Sequence, residues 1–201
     1  MKRVAFLVSG SGTNMENLIK RIKAGEIPAD PVIVISNKPG VKALEKAAVL
    51  GVETIVIDHK AYADRAAFDK ALMECLEKHK VDYIVLAGFM RVLTPDFVRK
   101  YHGRLINIHP ACLPEGIHGA HAIEDTFKEK EKFLTSGTGV TVHFVDTGVD
   151  TGQIILQKKV PVLRTDTLNT LEARIHQTEY EIYPEALKLV LSGKSVKKPT
   201  L

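Results

Sequence analysis

Short runs of β-branched and other apolar residues recur at 4–8, 32–36, 54–58, 83–88 and 105–109. Runs of that length and composition predict buried strands. Between them, residues 14–23, 41–50 and 65–80 carry apolar side chains three and four apart, as Phe68, Leu72, Cys75 and Leu76 do, which predicts amphipathic helices. The first half, up to about residue 104, therefore reads βαβαβαβ, and the fifth strand run follows it. That alternation calls for an α/β fold with a doubly wound, mostly parallel sheet and helices on both faces, which takes ligands beyond the carboxyl ends of its strands.

After residue 109 the pattern changes. A loop containing Pro110, Pro114, Gly116 and Gly119 leads into a short helix, followed by two strands at 140–146 and 153–162 joined by 147–152. Helical spacing runs from 167 to 192, and Pro184 predicts a kink or restart because it brings no backbone donor. The lysine-rich stretch 194–201 predicts a frayed end. No repeat, low-complexity stretch or linker interrupts the chain. It reads as one domain over 1–201, with an N-terminal half of about 1–104 and a C-terminal half of about 105–193.

Composition narrows the setting. With 45% hydrophobic and 26% charged residues, the chain has the balance of a globular domain, and its longest apolar runs fall far below the roughly 18 residues of a membrane helix. Met1-Lys2-Arg3 before so short a run is no secretory signal, so the expected compartment is the cytoplasm. Cys75 and Cys112 have neither disulfide-framework nor zinc spacing. The formal charge of +4 is spread along the chain, which favours small anionic ligands over nucleic acid.

Two places carry candidate chemistry. Ser9-Gly10-Ser11-Gly12-Thr13-Asn14 leaves the first strand and opens the first helix, where backbone N–H groups and the helix dipole suit a phosphate. A dinucleotide fingerprint would need a third glycine where Met15 stands, and no Gly-Lys-Ser/Thr completes a nucleotide P-loop. An isolated phosphomonoester site and a tight βα turn both fit. Further on, Asn107 and His109 lie two apart in a strand and face the same way near its carboxyl end. A carboxamide beside an imidazole suits a reaction that builds negative charge on a carbonyl oxygen, and Asp150, in a later turn, would favour the charged form of the imidazole. A capping Asn with a core His fits the same pattern. His118, His121 and Cys112 make a poor metal set, His143 alternates with Val142 and Phe144 as a strand-face residue, and Ser9 and Ser11 lack the surroundings of a nucleophile elbow.

Taken in order, residues 9–14, 86–93, 105–110, 141–146 and 149–152, followed by 174–176, Glu179 and 182–184, resemble the phosphoribosylglycinamide formyltransferases, folate-dependent enzymes of purine synthesis with a Rossmann-like formyltransferase fold. The resemblance covers nearly the whole chain. It implies transfer of the formyl group of 10-formyltetrahydrofolate to the amine of glycinamide ribonucleotide, with Asn107 and His109 stabilising the oxyanion and Asp150 assisting proton transfer. By the same resemblance, Gly12, Thr13 and Asn14 hold the substrate phosphate together with His176, and Glu179 meets the amine. The pterin lies against Met90, Arg91, Val92 and Leu93, and Arg65 belongs to the phosphate and folate-tail neighbourhood. The partners implied are small molecules, with no metal, nucleic acid or membrane, for a monomer or homodimer.

Asn107, His109 and Asp150 are shared with methionyl-tRNA formyltransferase and formyltetrahydrofolate hydrolase, so they identify the chemistry better than the acceptor. The phosphate loop favours the glycinamide ribonucleotide enzymes, and the length leaves no room for the extra domains of the other two. The chain departs from the family pattern in 111–119, one residue longer, and in 128–136. Another formyl-folate enzyme and a non-catalytic phosphate-binding module are the alternative readings.

Overall fold

The computed structural model describes residues 1–193; the end expected to fray, 194–201, lies outside them. Along the chain come β1 (Lys2–Val8), α1 (Thr13–Lys23), β2 (Ala29–Ser36), α2 (Lys42–Val49) and β3 (Thr54–Val56). A 3-10 turn at His59–Ala61 precedes α3 (Arg65–Lys78), β4 (Tyr83–Leu86), α4 (Pro95–Lys100) and β5 (Leu105–His109). The remainder is α5 (Ala122–Lys128), α6 (Lys130–Phe133), β6 (Thr138–Phe144), β7 (Ile154–Val160) and α7 (Leu168–Leu191).

The strands form one sheet in the order β3-β2-β1-β4-β5-β6-β7, parallel from β3 to β5 and antiparallel at β6 and β7. The winding reverses between β1 and β4, which opens a crevice at their carboxyl ends. Alternation along β1 divides the core. Val4, Phe6 and Val8 pack with α1, α2 and α7 through Leu18, Ala47 and Tyr183. Ala5 and Leu7 pack on the other face with Phe68 and Leu72 of α3 and Phe97 of α4. Both faces of β1 are thus buried, which explains an unbroken apolar run where a half-exposed strand would alternate.

Three features depart from the sequence expectation, the first being that α5 and α6 stand where one short helix was expected. Helix α4 was not foreseen, because six residues leave too little periodicity; its signal is Thr94, whose hydroxyl caps the Phe97 N–H, followed by Pro95 in the first turn. Pro184 neither ends nor restarts α7, which runs unbroken through it. The carbonyl that loses its helical donor, that of Tyr180, accepts instead from Asn17 Nδ2 of α1 at 2.9 Å. The start of α7 is held by Asp166, which accepts two hydrogen bonds from Arg174 (2.9 and 2.7 Å), one from the Leu163 N–H (2.7 Å) and one from Thr170 Oγ1 (2.9 Å). Among the described residues no helix is long and apolar enough to cross a membrane.

Candidate active site

At the end of β1 the chain turns through Gly12, whose φ of 68° lies in the left-handed region. A Cβ there would meet that of Ala43 in α2 at 2.5 Å, so glycine answers both the backbone and the close approach of the neighbouring helix. No side chain caps α1, which leaves its first N–H groups facing the crevice. Asn14 Nδ2 donates to Glu179 Oε2 at 2.9 Å, and His176 Nδ1 lies 2.9 Å from the same oxygen. Asn14 Oδ1 is buried with no partner among the described residues. His176 Nε2 lies 3.4 Å from Glu172, and the hydrogen bond to Glu179 pushes the imidazole pKa up against the opposing effect of burial.

Strand β5 places Asn107 and His109 on one face, at the next strand end. His109 Nδ1 lies 3.4 Å from Asp150 Oδ2, and its Nε2 lies 2.6 Å from the Ile117 carbonyl in the loop before α5. Asp150 adopts φ 55° and also accepts the Gly119 N–H at 3.1 Å. Its turn is fixed by Asp146, whose Oδ1 accepts the Gly148 N–H (3.0 Å) and Thr151 Oγ1 (2.7 Å). Each nitrogen of His109 is therefore set against an acceptor.

His143 completes this cluster from β6, where it pairs across the ladder with Asn107. Its Nδ1 donates to the Phe144 carbonyl (2.8 Å), leaving Nε2 to accept from Asn107 Nδ2 at 3.4 Å. Burial pushes the His143 pKa down, in keeping with that neutral tautomer. The sequence marked His143 as a strand-face residue, and its face is the one turned to the crevice. The pairing of β5 with β6, invisible in the sequence, is what brings it there.

These groups share one cavity of about 680 Å³. Its lining includes Gly12, Thr13 and Asn14, His176 and Glu179, the trio Asn107, His109 and Asp150, and the stretch Met90, Arg91, Val92 and Leu93. Met90 and Val92 are exposed there. Arg65 is the exception: it is exposed at the start of α3 and does not line the cavity. Among the described residues no cluster of three His, Cys, Asp or Glu side chains could hold a metal ion.

A sequence model of the family described as Formyl transferase matches residues 2–187. The chain belongs to the formyl transferase family. It is 38% identical over 191 residues to the phosphoribosylglycinamide formyltransferase of Bacillus subtilis, covering 95% of each chain. It is 49% identical over 194 residues to the bovine trifunctional purine biosynthetic protein adenosine-3, which matches 95% of this chain; this chain spans only 18% of that protein and 14% of its Drosophila melanogaster counterpart. The crystal structure of phosphoribosylglycinamide formyltransferase from Bacillus halodurans superposes with a TM-score of 0.90 at 39% identity, covering 99% of this chain and 100% of that one. As a formyl transferase, the chain has the α/β fold and doubly wound sheet that its alternating pattern predicts.

Proposed function

We propose that this chain transfers the formyl group of 10-formyltetrahydrofolate to the amine of glycinamide ribonucleotide, a step of purine biosynthesis, working in the cytoplasm as one formyltransferase unit. The observation that carries the reading is that one cavity is lined at once by Asn107, His109 and Asp150, by the N-terminus of α1, which suits a phosphate, and by a ledge with exposed Met90 and Val92, which suits a flat ring. The folate supplies the formyl carbon and a leaving nitrogen. Asn107, oriented by His143, and His109 donate to the formyl oxygen as it gains charge when the amine attacks. Asp150 holds His109 through Nδ1, which leaves Nε2 to serve that oxygen, and the Ile117 carbonyl now bonded to Nε2 gives way to substrate. Asp150 also helps move the proton released by the amine toward the leaving nitrogen.

In the same cavity, the N–H groups after Gly12, the Thr13 hydroxyl and His176 receive the phosphate, while Glu179, held by Asn14, takes the amine-bearing arm. Met90 and Val92 offer apolar contact to the pterin beside the backbone of Arg91 and Leu93. The test is the absorbance change on deformylation of 10-formyltetrahydrofolate with and without glycinamide ribonucleotide. A signal that requires the ribonucleotide is expected. Formate release without any amine acceptor would make the chain a hydrolase instead.

A further inference from the structure

Residues 87–94 join β4 to α4, and 87–93 form a ledge that lines the cavity. One end of this ledge is tied to the strand ends: the Met90 N–H donates to Ser9 Oγ at 2.8 Å, and that hydroxyl donates to Asn37 Oδ1 at 2.6 Å. The other end is tied to a helix outside the cavity. There the Thr94 N–H donates to Asp69 Oδ2 of α3 at 2.6 Å. Between the two anchors, Arg91 lays its guanidinium over the Phe68 ring, 5.0 Å from the centroid. Val92 and Leu93 make no hydrogen bond among the described residues, so their backbone groups remain available to a ligand.

Asp69 is an odd residue for its surroundings. It is 1% exposed, flanked by the apolar cluster of Phe68, Leu72, Leu93 and Phe97, and its second oxygen, Oδ1, has no partner among the described residues. Burying a carboxyl group with half its acceptors unused costs stability, and an apolar side chain would pack there without that cost. What an apolar side chain would lose is the hold on Thr94, and with it the height of the ledge.

We infer that Asp69 is a positioning residue for the folate side of the site: by holding the Thr94 N–H from α3, it fixes the backbone of Arg91–Leu93 where the pterin ring is read. The inference rests on the proposed function. Asp69 does not line the cavity, so its effect passes through the ledge and falls on one substrate only.

Steady-state kinetics with each substrate varied, and hydrogen–deuterium exchange on the unliganded chain, test this with Asp69→Ala and Asp69→Asn. Asp69→Ala should raise KM for 10-formyltetrahydrofolate about tenfold, the scale of roughly one lost hydrogen bond, while kcat and KM for glycinamide ribonucleotide stay within about twofold. The Thr94 amide should lose protection in the same variant. Asp69→Asn keeps an acceptor oxygen and should restore most of the folate KM. Parallel rises in both KM values, or a deprotected Thr94 with unchanged folate KM, would overturn the inference. If Asp69→Ala does not fold, Asp69→Leu, which fills the space without an acceptor, decides: its Thr94 exchange and folate KM must rise together, and a rise in exchange alone overturns the inference. A wild-type chain that binds no formyl-folate overturns the functional reading and this inference with it, whereas folate binding indifferent to Asp69 overturns the inference alone.

Discussion

Asp150 answers two demands at once. Its φ of 55° suits Asp and Asn and strains longer or branched side chains, and its carboxyl group faces His109. Asp150→Asn should therefore keep the turn and lose the charge: kcat should fall at least about a hundredfold, the scale of losing a positioned acid or oxyanion donor, with formyl-folate affinity little changed by titration. Near-normal turnover would remove Asp150 from the mechanism. His176 gives a pH test. Its pKa is raised in the fold by Glu179, so its pairing stabilises the fold fully below the ordinary imidazole value and is lost as pH rises through the raised one. His176→Gln should accordingly lower the urea midpoint more at about pH 6 than at about pH 8.5, and an equal loss at both would refute the pairing. The residues that the sequence offered at strand ends do meet in the cavity, because carboxyl ends of parallel strands are where such sheets leave side chains free. Arg65 was placed by resemblance alone, with no strand end to hold it there. Asp69 gave no signal at all, since a single Asp on a helix reads as a solvated one until Thr94 is seen beside it.

At the scale of elements, α7 depends on its first turn. Arg174, first among several donors, holds the Asp166 carboxyl far below the usual carboxylate range. A lowered folded pKa contributes stability above the unfolded value and loses it as pH falls below the ordinary carboxylate range. Asp166→Asn should cost about 1–3 kcal/mol at neutral pH by denaturant unfolding, with a smaller difference from wild type in acid; an unchanged neutral midpoint would show the cluster to be dispensable. The long helical period of α7 was plain in the sequence, but its passage through Pro184 was not. A proline inside a periodic run reads as a break unless a donor from elsewhere meets the orphaned carbonyl, and Asn17 lies far away along the chain. Short α4 was hidden for the opposite reason, because its capping pair is stronger than its period.

Across the whole molecule, Tyr183 of α7 sends its hydroxyl to the Leu86 carbonyl at 2.8 Å and lies 3.3 Å from that of Ile106, so one buried side chain of α7 bridges the carboxyl end of β4 and the neighbouring strand β5. With α7 also locked to α1, the stretches about 1–104 and 105–193 should unfold together. Far-ultraviolet circular dichroism and tyrosine fluorescence should give coincident denaturant midpoints, and two separated transitions would divide the chain into independent halves. The alternating pattern foretold the layers of this architecture, but not that the last helix would close the first loop. That closure has a consequence for how the protein is made. Asn14 and Glu179 are 165 residues apart, so a chain growing from its amino terminus lays down the loop after β1 long before the helix that supplies its carboxyl partner. Until α7 has been synthesised and has docked, the cavity lacks the wall formed by Leu168, Glu172, His176 and Glu179, so affinity for a ligand of this cavity should arrive only with the finished helix.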